Sequence, residues 1–175
     1  MRIGLLAVFW LALTTNGLAG PLEDGTRAYD AGNYANAIEI FKPLAAQGDA
    51  QAQFRIGMMY YNGQGVPEDE KLAVTWLLKA AKQGNVDAMF ELGNAYLVGN
   101  QAAKLVEDPD REAAIWFHQA ARVGHMSAQY YLGLLFLAGN GVQQSKANAE
   151  MWFGKAAAQG HSEAKRAIQD VKSKK

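Results

Sequence analysis

Two stretches decide the fold: WLLKAAKQGNVDAMFELGNAY at residues 76–96, and WFHQAARVGHMSAQYYLGLLF at residues 116–136. A tryptophan, a pair of alanines, a glycine, a further alanine and a Leu-Gly pair keep the same register, while the positions between them differ. Residues that persist in repeated segments are expected to make the contacts by which the copies stack. The differing positions are therefore expected to determine what the molecule binds.

The same register recurs in a third segment and partly in a fourth. Equivalent residues lie 36 or 40 positions apart: Trp76, Trp116 and Trp152; Ala80, Ala120 and Ala156; Gly84, Gly124 and Gly160; Ala52, Ala88 and Ala128; Gly57, Gly93 and Gly133; Tyr60, Tyr96 and Phe136. An earlier partial copy begins at Gly32 with GNYANAIEIFKPLAAQGDAQA. Repeats of this period are typical of stacked supersecondary units.

Each unit is predicted to contain two helices. Residues 50–61 carry apolar side chains at helical spacing, and Gly57 among them allows a neighbouring helix to approach closely. The following NGQGVPED segment breaks the helix, because Pro67 cannot continue it. A second helix is predicted at about residues 69–83, with Gly84 in the left-handed position that follows a helix. Since neither helix can bury its apolar stripe alone, the units are expected to stack.

The combined pattern A-x-x-x-L-G-x-x-Y, G-x-G-V and A-x-x-W-x-x-x-A-A-x-x-G resembles that of Sel1-like repeats, which are related to the tetratricopeptide repeat. The resemblance implies an all-α fold, a short right-handed α-solenoid of helix-turn-helix repeats with a C-terminal capping helix. Together with the composition of the two ends, it divides the chain into a signal peptide (1–19), a tetratricopeptide-like helix pair (20–49), three Sel1-like repeats (50–85, 86–125 and 126–161) and a capping helix (162–175). The middle repeat departs from the pattern, because its loop VGNQAAKLVEDPD is four residues longer and lacks Gly-x-Gly-Val.

The first residues differ in composition from the rest of the chain. Arg2 precedes an uninterrupted apolar run at residues 3–13, and Gly17 and Ala19 are small residues at the −3 and −1 positions of a cleavage site. This pattern predicts a secretory signal peptide cleaved after Ala19. A membrane anchor is the alternative, but the run is shorter than the ~20 residues that span a bilayer. We therefore expect a periplasmic or secreted protein without stable membrane insertion after cleavage.

Composition excludes several kinds of chemistry. The chain has no cysteine, so it has no disulfide, no cysteine zinc site, no thiol nucleophile and no lipidated cysteine. Its 17 basic and 17 acidic residues balance, whereas nucleic-acid-binding proteins usually present a basic face. We expect no nucleic-acid partner, no cofactor and a monomer.

The histidines and the acidic loop are predicted to serve structure. His125 and His161 occupy the repeat position that Asp49 and Asn85 hold in earlier units, where a polar residue begins the next helix. His118 has no cluster of metal ligands beside it, and Glu107, Asp108 and Asp110 lack the spacing of a calcium loop. Either Asp108 or Asp110 is expected to cap the following helix.

Two further motifs receive structural interpretations. The Ser162-x-x-Lys165 pair matches part of the signature of penicillin-recognising enzymes, but the companion motifs are absent, and Ser162 is predicted to be a helix N-cap. GQGV and GNGV follow no strand and lack the Lys of a phosphate loop, so they are predicted to be turns between paired helices. The repeated tryptophans are predicted to pack in the core.

The differing positions on the first helix of each unit form the predicted binding site. They lie opposite the Ala-Gly-Tyr stripe, and the resemblance places them on the concave surface of the superhelix: Gln51, Arg55, Met58, Asp87, Glu91, Asn94, Ser127, Tyr131 and Leu134. A surface that ends in Tyr131 and Leu134 suits a protein or peptide. The alternative is that these two residues pack under the C-terminal helix. The long loop at 98–110 is a second candidate contact.

These observations favour an exported, non-enzymatic interaction module that scaffolds or regulates a partner protein. The resemblance implies the same, because proteins with such repeats act as adaptors in envelope signalling, secretion and host contact. One alternative is a cell-wall or β-lactam hydrolase that uses Ser162 and Lys165. Another is a cytosolic co-chaperone adaptor, which would require the N-terminal segment to be retained.

Overall fold

The computed structural model describes residues 20–99 and 102–173, and within these ranges it is helical with no strand. The predicted all-α repeat fold is confirmed. The predicted signal peptide at 1–19 lies outside the described residues. The α-helices are α1 (Pro21–Asp30), α2 (Tyr34–Ala46), α3 (Ala50–Asn62), α4 (Glu70–Lys82), α5 (Val86–Val98), α6 (Pro109–Arg122), α7 (Met126–Ala138), α8 (Lys146–Ala158) and α9 (Ser162–Ser173). A 3₁₀ helix, η1 (Ala102–Leu105), lies between α5 and α6.

The helices pack as consecutive pairs. Each of the pairs α1–α2, α3–α4, α5–α6 and α7–α8 packs against the next pair, and α9 packs on α8. None of the helices in the described part of the chain is both long enough and apolar enough to cross a bilayer. Because each helix pair packs against the next, the apolar stripes of the helices are buried between neighbouring units.

Polar caps start the first helix of successive units at equivalent positions. The side chains of Asp49, Asn85, His125 and His161 each accept a hydrogen bond from the backbone N–H three residues later, which satisfies a free donor of the first turn. The expectation for these four residues is confirmed. The predicted capping role of Ser162 is wrong, because Ser162 is the first residue of α9 and His161 is its cap. His161 and Ser162 are both polar and adjacent in sequence, and α9 begins one residue earlier than a cap at Ser162 would place it.

The second helices begin in the same way. Asp69, Asp108 and Ser145 are the N-caps of α4, α6 and α8, and each accepts the backbone N–H three residues later. Of the two candidates in the acidic loop, Asp108 is thus the cap of α6. Gly84 follows α4 with a φ of +90°, as the sequence predicted.

A glycine on the first helix of each unit receives a large side chain from the second helix. A Cβ atom on Gly57 would lie 2.9 Å from Leu77 Cγ, and one on Gly93 would lie 2.6 Å from Phe117 Cδ1. The same relationship joins Gly133 to Phe153. The inserted side chains Leu77, Phe117 and Phe153 are all 0% exposed. Glycine is needed at these positions because its lack of a Cβ lets the two helices approach closely.

The tryptophans lie beside these inserted residues rather than in their place. Trp152 is buried with 5% exposure, while Trp76 and Trp116 are half-buried. The ammonium groups of Lys79 and Lys155 lie 4.0 and 4.3 Å from the ring centroids of Trp76 and Trp152. The prediction of core tryptophans holds for Trp152, but the residue that follows each tryptophan is the one inserted into the core.

The GNGV loop connects neighbouring units as well as the helices of its own. Gly141 has a φ of +64°, and a Cβ at this position would overlap the backbone of Asp110 at the start of α6. In the same way, Gly65 of the GQGV loop lies against the backbone of Tyr34 at the start of α2. These turns therefore fix the spacing between one unit and the previous one.

Candidate functional site

The nine predicted binding positions lie on α3, α5 and α7, and we call them the first-helix surface. They are Gln51, Arg55 and Met58 on α3, Asp87, Glu91 and Asn94 on α5, and Ser127, Tyr131 and Leu134 on α7. Asp87 is exposed, and the other eight are half-buried. The positions reach the surface, but their side chains also contact neighbouring units. Whether they bind a partner stays a prediction.

Polar side chains of this surface link adjacent units. The Gln51 Oε1 atom accepts a hydrogen bond of 3.0 Å from Asn85 Nδ2, so a residue of α3 is tied to the cap of α5. One unit further on, Asp87 Oδ1 lies 3.8 Å from Nε2 of His125, the cap of α7. The same pair of positions therefore makes contact at two successive junctions. These contacts hold part of the surface in a fixed arrangement.

Arg55 is the cation of the first-helix surface. Its guanidinium carbon lies 5.4 Å from the ring centroid of Tyr29 on α1, within the range of a cation–π contact. Its Nε atom is buried and makes no hydrogen bond within the described residues. Arg55 and Glu91 form no ion pair with each other in this part of the chain. The surface thus carries a cation and an anion in successive units that are not paired.

Glu91 occupies the position in α5 that Arg55 holds in α3. Burial raises the pKa of the Glu91 carboxyl, the hydrogen bond from Asn94 acts in the opposite direction, and the charge of Asp87 adds to the increase. The Asn94 Nδ2 atom donates to Glu91 Oε2 over 3.3 Å. A half-buried carboxylate beside an amide offers a hydrogen-bond acceptor to a ligand on this surface.

Tyr131 packs against the preceding unit. Its ring stacks on Phe117 with centroids 5.3 Å apart and an interplanar angle of 10°, and it lies 6.0 Å from the ring of Phe90. It also meets Tyr130 edge-on at 5.7 Å. The alternative that Tyr131 packs under the C-terminal helix is therefore not what the structure shows. The ring covers α5 and α6, and its remaining surface faces outward.

Leu134 does pack beside the C-terminal helix. It belongs to the apolar cluster that contains Ala164 and Val171 of α9, and it lines a cavity of about 540 Å³ between α7 and α9. Ala167 of α9 also lines this cavity, and the 36-residue offset places Ala167 where the previous unit has Tyr131. The cavity thus lies where α9 has a small side chain in place of an aromatic ring. Repeat alignment alone could have located it.

Stacked rings connect successive units, and the sequence did not lead us to expect them. Phe90 stacks on His125 with centroids 4.4 Å apart, and Tyr130 stacks on His161 at 4.5 Å. Each aromatic residue lies at the same repeat position, and each histidine caps the next first helix. Aromatic residues recur at 54, 90 and 130, which is the signal that could have revealed these stacked rings. Each of the two histidines therefore contacts the preceding unit through its ring and caps its own helix through a hydrogen bond.

The candidate catalytic groups are arranged as ordinary surface residues. Ser162 Oγ donates a hydrogen bond of 2.8 Å to Glu163 Oε2, and both Ser162 and Lys165 are exposed on α9. His118 is exposed on α6, where its ring meets Trp152 edge-on at 5.9 Å. Within residues 20–99 and 102–173, no three histidine or acidic side chains converge to hold a metal ion.

The long loop of the middle unit forms η1 within its described part. Ala102 is 0% exposed and joins the central apolar cluster, and η1 packs against α4 and α5. Val98 and Leu105 of this segment are 70% and 46% exposed. The segment predicted as a second contact therefore has one side fixed to the stack and one side available.

Comparison with known proteins supports this description of the stack. Residues 50–85, 86–125 and 127–161 each match the profile of the Sel1 repeat, and together they cover well over half of the chain. A crystal structure of a Sel1 repeat protein from Oxalobacter formigenes is 32% identical with a TM-score of 0.74, covering 84% of this chain and 59% of that one. A protective antigen of uropathogenic Escherichia coli strains, which displays an SLR fold, is 30% identical with a TM-score of 0.78, covering 86% of this chain and 32% of that one.

Two more distant similarities extend the comparison. Cysteine rich protein B of Helicobacter pylori is 22% identical with a TM-score of 0.52, covering 85% of this chain and 97% of that one, and it shows the fold alone. The ERAD-associated E3 ubiquitin-protein ligase component HRD3A of Arabidopsis thaliana is 36% identical over 63 residues, or 35% of this chain. This chain spans only 9% of the length of that curated relative.

Proposed function

We propose that this chain, which belongs to the Sel1 repeat family, is an exported, non-enzymatic interaction module that binds a partner protein or peptide on its first-helix surface. Repeats of this family typically mediate protein–protein interactions, and one relative is a component of a ubiquitin ligase assembly. The partner of this chain is a protein or peptide of the compartment into which it is exported.

One observation carries the proposal. Equivalent surface positions on α3, α5 and α7 differ in chemistry from unit to unit, while the glycines beneath them stay the same and each receives a large apolar side chain. The central position of each unit, for example, is Arg55, then Glu91, then Tyr131. A stack that needed these positions only for packing would favour one residue type at all three. A graded row of cation, anion and aromatic ring suits the side chains of one particular partner.

The size of the surface is sufficient for such a contact. Stable complexes of standard size bury about 800 Å² on each partner, which is within reach of a face built from three units. The half-buried state of eight of the positions also limits the conformational entropy that binding would cost. We expect the first-helix surface to bind with little rearrangement of the backbone.

Photocrosslinking in cells tests the proposed binding surface. A photoreactive amino acid replaces Asp87, whose side chain is 63% exposed, and in a parallel strain it replaces Met151, which is 45% exposed on α8. We expect a discrete crosslinked product from position 87 that is absent from position 151. Capture of the same products from both positions, or of none from position 87, would contradict the proposal.

Export is tested separately by the mature N-terminus. The apolar run after Arg2 and the small residues before Gly20 support cleavage after Ala19. N-terminal sequencing of protein purified from the envelope or medium of the producing bacterium is expected to begin at Gly20. Protein that keeps Met1 and stays in the cytosolic fraction would instead favour the co-chaperone adaptor.

A further inference from the structure

Two junctions in the stack have equivalent helices but differ in what covers them. The first lies between α4 and α5 and the second between α6 and α7, and equivalent residues in the two are 40 positions apart. At the first junction η1 packs on both helices, and its Ala102 is fully buried in the cluster that includes Val74 and Tyr96. At the second junction the shorter GNGV loop supplies no such turn.

The second junction therefore retains an open groove. The groove has a volume of about 300 Å³, and its lining includes Arg111, Ile115, His118, Leu132, Phe136 and Val142. Tyr96 at the covered junction is 4% exposed, whereas the equivalent Phe136 is only half-buried. Ile115 is 41% exposed, which is unusual for a large apolar residue beside a core.

The charge around the groove favours an anionic ligand group. Arg111 lines the groove, and no carboxylate is among its lining residues. The guanidinium of Arg111 forms no ion pair with any described residue. Burial lowers the pKa of His118, and the nearby charges of Arg122 and Lys155 lower it further. A carboxylate beside the apolar floor would meet an unpaired cation.

We propose that this groove binds a short segment of a partner protein that presents small apolar side chains next to a carboxylate, as η1 occupies the preceding junction. The chain itself supplies the model for such a segment, because Ala102, which is 0% exposed at the first junction, is followed in sequence by the carboxylates Glu107 and Asp108. None of the nine residues of the first-helix surface lines the groove. This site is thus separate from the surface to which the proposed function assigns the main partner.

A peptide copied from the chain is a direct probe. The blocked peptide QAAKLVED, which is the sequence of residues 101–108, has two acidic side chains against one lysine. Titrated into the ¹⁵N-labelled protein, it is expected to shift the amide signals of Ile115, His118 and Phe136 saturably, with a dissociation constant of about 0.1–1 mM. The peptide with the E107Q and D108N changes is expected to bind at least about threefold more weakly.

Matched variants of the protein decide whether the groove is the site. Ile115→Asp is expected to weaken peptide binding by about tenfold, because it places a carboxylate in the apolar wall beside the ligand. Met151→Asp, a change at a similarly exposed apolar residue of α8, is expected to leave binding unchanged. Because both residues are exposed, both variants are expected to keep the wild-type melting temperature. Absence of saturable shifts, or equal binding by the Ile115→Asp variant, would overturn the proposal.

A loop graft separates this site from the first-helix surface. Replacing Gly141 by the five residues 101–105 gives the third unit the insert of the second. The graft is expected to cover Phe136 and to abolish peptide binding, while crosslinking from position 87 persists. A grafted protein that folds and still binds the peptide would overturn the groove proposal without affecting the proposed function. Loss of peptide binding together with loss of crosslinking from position 87 would support the groove proposal and contradict a separate first-helix surface.

Discussion

A Cβ atom on Gly133 would lie 2.5 Å from Cε1 of Phe153, closer than any side chain can tolerate without movement. Phe153 is 0% exposed, so its ring is enclosed by other side chains and cannot turn into solvent. The same relationship recurs between α3 and α4 and between α5 and α6. The distance between the two helices of a unit is thus set by the absence of a single methyl group.

The first prediction follows from this contact. Gly133→Ala is expected to destabilise the protein by about 2 kcal/mol, because overpacking a filled core costs more than the gain in helix propensity. Gly154→Ala on α8 is the control, since no atom lies within 4 Å of its Cβ position, and it is expected to stabilise by about 0.5–1 kcal/mol. Urea denaturation of both variants measures the difference. An equal or higher stability of the Gly133 variant would show that the ring can move away.

The second prediction concerns a buried amide network in the third unit. Gln129 is 4% exposed, its Nε2 donates to the carbonyl of Ala121, and its Oε1 accepts from Gln159 Nε2 over 2.7 Å. Gln129→Met is expected to cost about 1–2 kcal/mol through the lost hydrogen bonds. The middle unit has Met89 and Val123 at the two glutamine positions.

A double-mutant cycle provides the check on this network. Adding Gln159→Val to Gln129→Met reproduces the pair found in the middle unit, so the double variant is expected to be more stable than the sum of the single changes predicts. We expect a coupling of at least about 0.5 kcal/mol from denaturant unfolding. Strict additivity would show that the hydrogen bond between the two side chains contributes nothing.

The third prediction is a loss of stability in mild acid. Burial lowers the pKa of His125, although the nearby Asp87 acts in the opposite direction, and the Nδ1 atom must stay unprotonated to accept the Ala128 N–H. The unfolded chain therefore binds more protons than the folded one below the ordinary histidine pKa of about 6.5. Stability is fully present above that value and falls as the pH drops through the folded pKa of His125.

Histidine variants measure this dependence. His125→Asn keeps the cap that Asn85 provides one unit earlier, and its stability is expected to change less than that of the wild type between pH 7.5 and pH 5. The pKa of His118 is also lowered, so His118→Gln is expected to remove a second part of the same slope. Melting curves at several pH values give the comparison. An unchanged slope in the His125 variant would assign the acid sensitivity elsewhere.

The fourth prediction concerns how much the ring of Tyr131 contributes to the stability of the stack. Tyr131→Ala is expected to destabilise the protein by about 2–3 kcal/mol, because the ring packs on Phe117 and Phe90. Tyr131→Phe is expected to stay within about 0.5 kcal/mol of the wild type, since the ring contacts persist. Denaturant unfolding distinguishes them. A Tyr131→Ala variant with wild-type stability would mean that the ring serves the surface alone.

Sequence reasoning predicted the helices well because the repeated positions fix them. The second helix of the first unit was expected at about residues 69–83 and is found at Glu70–Lys82. The sequence pattern alone could not predict that Leu77, rather than Trp76, inserts into the core. Adjacent residues both lie within a stripe about 100° wide, and the position of Gly57 across the interface decides between them.

The candidate site was harder to predict because its burial depends on the neighbouring unit. Spacing along α7 correctly placed Tyr131 away from the Ala-Gly stripe of its own helix. It could not show that the ring meets Phe90, which is 41 residues earlier in the chain. Such contacts depend on how one helix pair lies over the next. Comparing the units with one another recovers part of this, as the change from Tyr131 to Ala167 shows.

The position of η1 has a consequence for how proteins of this kind can diversify. The lengthened loop of the middle unit contains η1, which packs on α4 and α5, and the glycine contacts within the units on either side are kept. A short insertion or deletion at this place can therefore cover or expose a side chain such as Tyr96 or Phe136 without changing the glycine contacts within each unit. Recognition can change by altered loop length, in one genetic event, while the architecture is inherited intact.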